Sequence, residues 1–116
     1  MPLNIRVDGD IVIMSSFGRL MNDPRYVDAS RDADELIDQG LKKFILDLGG
    51  VKEKGSSFFA LLLTITRRIR QQGGEAVIAH AAPDVERVLL DMRLDDYWDI
   101  FKSVDEAIQF FASRPE

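Results

Sequence analysis

The sequence predicts an α/β fold: one mixed sheet of four or five strands flanked by about four helices. Three observations carry this. Short, dense apolar runs alternate with segments whose apolar residues recur every three or four positions. Strands joined through helices need crossover connections, which produce a largely parallel sheet. The 116 residues, 46% of them hydrophobic, suffice for one core and suggest a single domain over residues 1–116.

Ile5 and Val7, then Ile11 to Ile13, flank the turn-like cluster Asp8-Gly9-Asp10 and read as a hairpin. Phe17-Gly18-Arg19-Leu20 leaves the second strand, and Asn22-Asp23-Pro24 marks a loop. From about Arg25 to Gln39 the spacing turns helical, with Tyr26, Ala29, Ala33, Leu36 and Ile37 on one side and Gly40 suited to its end. Lys43 to Leu48 is nearly continuous in apolar residues, which fits a central strand covered on both faces.

After the loop Gly49 to Gly55, Ser56 or Ser57 is expected to cap a long helix to about Gln72. Phe58, Leu62, Ile65 and Ile69 fall on one face, and Arg67, Arg68 and Arg70 sit where cations favour the helix dipole. Gly73-Gly74 stops that helix, and Glu75 to Ala79 is the next strand. Pro83 opens a helix carrying Val85, Val88, Leu89 and Met92. Leu94 to Trp98 turns the chain, and Ile100-Phe101 suits a short edge strand. Ser103 and Glu106 form a capping box before a last helix with Ala107, Ile108, Phe110 and Phe111 on its apolar side.

Composition excludes much familiar chemistry. With no cysteine there is no disulfide, thiolate metal site or cysteine nucleophile, and one histidine cannot build a multi-histidine site. Twenty acidic against 15 basic residues give a net charge of −5, which argues against direct nucleic-acid binding. The longest apolar stretch, Phe58 to Leu63, is far short of the roughly 20 residues a membrane span needs. MPLNIRVDGD has no basic segment leading into an apolar run, so a cytoplasmic protein is expected, with no membrane insertion. Ser56, His80 and an aspartate are the ingredients of a catalytic triad, but no G-x-S-x-G elbow frames the serine, and His80 reads as a loop residue. Acidic runs such as Asp32, Asp34 and Glu35 lack calcium-loop spacing and read as solvated surface. No catalytic residue, metal or cofactor is expected.

The stretch Gly49-Gly50 to Gly55-Ser56-Ser57 lies after a strand and before a helix, where α/β sheets place ligands. It lacks the lysine of a phosphate-binding loop. It is either a turn with a capping serine, or a site at which a serine is itself phosphorylated.

Here the sequence resembles the STAS family, whose founding members are bacterial anti-sigma-factor antagonists. Gly18-Arg19-Leu20 is similar to its early G-x-L segment. Asp47-Leu48 with Gly50-Val51 is similar to its D-L-x-x-V strand end, and Gly55-Ser56-Ser57-Phe58 occupies its D-S-S-G position. Arg67 to Val77 and Pro83 to Leu94 are similar to the segments that follow. The resemblance implies a STAS-like fold and a partner switch: the unmodified antagonist binds an anti-sigma factor that is a serine kinase, phosphorylation ends the binding, and a phosphatase restores it. Ser56 is the implied phosphorylation site, with Ser57 second. Asn22, Asp23, Lys54, Gly55, Phe58 and Phe59 are the implied partner-binding residues, the two phenylalanines by apolar contact unless they pack in the core. Gly55 and Phe58 depart from the motif's acidic residue and glycine, and Met21 replaces the acid after G-x-L. The alternatives are a STAS scaffold or accessory subunit of a transport or signalling complex that docks without phosphorylation, and a small enzyme or nucleotide-binding domain. A homodimer stays open.

Overall fold

The computed structural model describes residues 4–17, 29–52 and 55–113. Among these, the strands are β1 (Asn4–Asp8), β2 (Ile11–Ser15), β3 (Lys43–Asp47), β4 (Glu75–Ala79) and β5 (Ile100–Phe101). The α-helices are α1 (Ala29–Asp38), α2 (Ser56–Gln71), α3 (Pro83–Asp91) and α4 (Val104–Ala112), with a 3-10 turn at Leu94–Asp96.

The five strands lie in the sheet in chain order. β1 and β2 form an antiparallel hairpin, and β2–β3, β3–β4 and β4–β5 pair in parallel. Gly9 supplies the positive φ (+66°) that a two-residue hairpin turn requires at its first central position.

This order explains the layering. A sheet that grows in one direction through right-handed crossovers places every crossover helix on the same face. Ala33 and Ile37 of α1, Phe58, Leu62, Ile65 and Ile69 of α2, and Val85 and Leu89 of α3 share one apolar core with Val12, Met14, Phe44, Leu46, Ala76 and Ile78 of the sheet. The alternate residues Ile11, Ile13, Ile45, Val77 and Ala79 face the other way and meet Ala107 and Phe111 of α4. β3 and β4 are thus buried on both faces, as the continuous apolar run at Phe44 to Leu46 predicts.

Element ends carry their own causes. Pro83 sits in the first turn of α3, where a missing N–H costs nothing. The Ser103 hydroxyl accepts the Glu106 N–H at 3.1 Å, while the Glu106 carboxylate accepts the Lys102 N–H at 3.3 Å, so the expected capping box forms with its return bond one residue early. Gly74 is required by close approach: a Cβ there would lie 2.8 Å from the Lys42 carbonyl oxygen. Two apolar residues that read as turn positions belong to the core. Phe17 and Trp98 are both fully buried.

Tyr26 and Gly18-Arg19-Leu20 fall outside the described residues, so the helix predicted from Arg25 is described only from Ala29.

Candidate functional site

The candidate site is the start of α2, reached through the loop that leaves β3. Leu48 and Val51 are buried and anchor that loop to the core, and the Val51 N–H closes a turn on the Leu48 carbonyl at 3.1 Å. Asp47, the last residue of β3, organises the turn from the strand side: its Oδ1 accepts the Gly49 N–H at 2.9 Å. Gly50 and Lys52 lie exposed beyond it.

The predicted serine cap is corrected. Gly55 is the N-cap of α2, in extended conformation, and among the described residues no side-chain hydrogen bond caps the helix. Its carbonyl accepts the Phe58 N–H at 3.2 Å and the Phe59 N–H at 3.5 Å. Ser56 and Ser57 are therefore the first two residues inside the helix, both exposed. Their main-chain N–H groups precede the first intrahelical bond and add to the positive end of the helix dipole. A hydroxyl in this place is open to a modifying enzyme, and a phosphate on it would sit in a favourable field.

Gly55 leaves open space: a Cβ there would meet nothing within 4 Å. The absent acidic side chain is thus a matter of sequence rather than of crowding. Phe58 and Phe59, by contrast, point inward and are fully buried. The Phe58 ring packs edge-to-face on Phe17 at 6.4 Å and on Phe59 at 5.4 Å. The expectation that they meet a partner by apolar contact is corrected: the helix turns both rings into the core, where they offer no surface. Asn22, Asp23 and Lys54 lie outside the described residues.

Sequence reading missed the contact made by His80. This residue follows β4 with φ +63°, a backbone conformation uncommon outside glycine. Its N–H donates to the Phe101 carbonyl at 3.1 Å, and its Nδ1 lies 3.4 Å from Asp47 Oδ1. The imidazole lies across Gly49, whose added Cβ would come 2.5 Å from Nδ1. Asp47, Gly49 and His80 thus form one cluster at the carboxyl ends of β3 and β4. Among the described residues no three acidic or histidine side chains gather as a metal site.

A shallow pocket of about 280 Å³ between α1 and α2 is lined by Asp34, Ile37, Asp38, Arg68, Gln71 and Gln72. At 1.5 Å rise per residue, Arg68 stands roughly 18 Å along α2 from Ser56, so this pocket is separate from the serine pair. Beside it the two helices are tied by Arg68 Nη1, which donates to Asp34 Oδ2 at 2.6 Å.

The geometry has its counterpart in comparison. The STAS domain family model matches residues 3–107, nearly the whole chain. The chain belongs to the STAS domain family. No protein of curated function matches it in sequence. Among solved structures, the fold is similar to that of a candidate anti-sigma factor antagonist from Thermotoga maritima, with TM-score 0.73, 23% identity, and 92% of each chain covered. It is also similar to an anti-sigma-factor antagonist (STAS) domain protein from Planctomyces limnophilus, with TM-score 0.73, 21% identity, and coverage of 96% of this chain and 98% of that one. At these identities the likeness concerns the fold. Within the STAS fold of this chain, Ser56 and Ser57 open α2 and Asp47 closes β3.

No helix among the described residues is long and apolar enough to cross a membrane.

Proposed function

We propose that this STAS protein is an anti-sigma-factor antagonist-like regulator, which binds an anti-sigma factor kinase while Ser56 is unmodified and releases it when Ser56 is phosphorylated. The observation that carries this reading is the exposed Ser56 hydroxyl on the first turn of α2, at the motif position of the family. A phosphoserine adds about −1.5 to −2 charge, and the helix dipole tolerates it there. The switch then acts by changing the charge and shape that a partner meets, not by unfolding the domain. A phosphatase resets it, and the role places the protein in the cytoplasm. With a net charge of −5, association is steered toward a basic partner face and weakens with salt.

Asn22, Asp23, Lys54 and Gly55 are the further residues that this reading assigns to partner binding. Incubation with the cognate kinase and ATP, followed by intact mass, tests the proposal. One added phosphate is expected, lost in Ser56→Ala and kept in Ser57→Ala. A mass unchanged by the kinase counts against the switch.

The bare Gly55 N-cap favours a second reading, since the motif's acidic residue is absent beside the serine. In it the domain is a scaffold or accessory subunit that docks its partner without modification. Its mark is a stable complex indifferent to Ser56→Asp.

A further inference from the structure

We infer that β1 is a self-association edge, through which two copies of this chain pair antiparallel about Val7 into one continuous sheet.

β1 and β5 are the two edges of the sheet, and they differ. β5 is two residues long and offers little to pair with, whereas β1 runs five residues without proline. The hairpin decides which groups β1 presents. In a two-residue hairpin the residues flanking the turn, here Asp8 and Ile11, exchange both main-chain hydrogen bonds, and such pairs recur at every second position. Asn4, Arg6 and Asp8 therefore bond to β2, and the N–H and C=O of Ile5 and Val7 point out of the sheet. Val7 is 47% exposed, one of three large apolar side chains left so among the described residues.

A second β1 strand can pair with these outward groups in a small number of registers, and charge selects among them. Centred on Val7, the two-fold register sets Val7 against its counterpart and Arg6 against Asp8 of the other copy, twice by symmetry. Those Arg–Asp positions are the non-hydrogen-bonded ones, where side chains approach most closely. Centred instead on Arg6, the register sets Arg6 against Arg6, which repels. Neither Arg6 nor Asp8 takes part in an ion pair among the described residues. The alternating signs along Arg6-Val7-Asp8 thus complement themselves in one antiparallel alignment.

Sedimentation velocity over a concentration series tests this. The wild-type mass is expected to rise toward twice that of the monomer, with amide exchange of Ile5 and Val7 slowing in step. Arg6→Glu alone or Asp8→Arg alone sets like charges opposite each other and should weaken the dimer on the order of tenfold. Mixing the two single variants places the new carboxylate against the new guanidinium and Asp8 against Arg6, so the mixture should form a heterodimer about as tight as wild type. Both positions are exposed, and circular dichroism confirms that each variant is folded. A wild-type protein that stays monomeric overturns the inference. So does a dimer that keeps Ile5 and Val7 unprotected, or a mixture no tighter than its separate components.

Discussion

The Trp98 indole Nε1–H donates to Thr66 Oγ1 at 2.8 Å, inside the core and between residues 32 positions apart. Thr66 is fully buried, the one buried polar residue among the described residues, and Trp98 is 1% exposed. The bond joins α2 to the segment that enters β5. Thr66→Val keeps the shape but leaves the indole N–H buried without an acceptor, which costs about 1–3 kcal/mol. Thr66→Ser keeps the acceptor and should cost less. Urea denaturation of both variants checks the order.

The core on the three-helix face is continuous, and truncation there should be costly. Leu46 on β3 and Leu62 on α2 are both fully buried in the same cluster. Leu46→Ala and Leu62→Ala should each destabilise by about 2–5 kcal/mol, as lost burial adds to the cavity left behind. A loss below about 0.5 kcal/mol at both positions would place the core elsewhere.

The sheet and its covering helices were legible because period carries burial. Phe44 to Leu46 reads as a strand covered twice, and the spacing of Phe58, Leu62, Ile65 and Ile69 reads as one helix face. The turns were harder. Phe17 and Trp98 have no periodic neighbours, so their burial depends on how the chain folds back, which no local pattern records. The helix start at Gly55 misled for a different reason: serine is a favoured cap, and nothing local says that the chain turns one residue earlier. The His80–Asp47 contact joins residues 33 apart, and its only local trace is the glycine at 49 that makes room for the ring. The serine pair stands out in the sequence by its motif, while the inward turn of Phe58 and Phe59 is visible only with α2 in place.

The hairpin turn is tied to the central strand by Lys43 Nζ, which donates to Asp10 Oδ2 at 2.9 Å. This hydrogen bond, reinforced by the charge of Lys43, holds the Asp10 carboxyl below its ordinary value of 3.8. A carboxyl lowered on folding stabilises the folded state above its unfolded pKa, and that contribution is lost as pH falls through the folded value. Titration followed by carboxyl NMR should show Asp10 protonating below 3.8, and Lys43→Gln should raise its midpoint. The acid limb of the stability profile shifts the same way, by a small amount because Asp10 is exposed.

The start of α2 separates a capping role from a signalling one. Ser56 lies inside the helix with an exposed side chain, so Ser56→Ala should change stability by less than about 0.5 kcal/mol. Gly55 holds the cap position with an extended backbone and open space where a side chain would go. Gly55→Asp adds an acceptor for the N–H groups of the first turn and a negative charge at the positive end of the dipole. It should stabilise by a few tenths to about 1 kcal/mol. The same carboxylate would stand beside a phosphate on Ser56, and like charges at that distance repel, so phosphorylation should cancel part of the gain. Thermal unfolding of Gly55→Asp, with and without phosphate on Ser56, measures both terms. A stability gain that survives phosphorylation intact would mean that the two groups point apart, and that a kinase meets the aspartate and the serine as separate features of the surface.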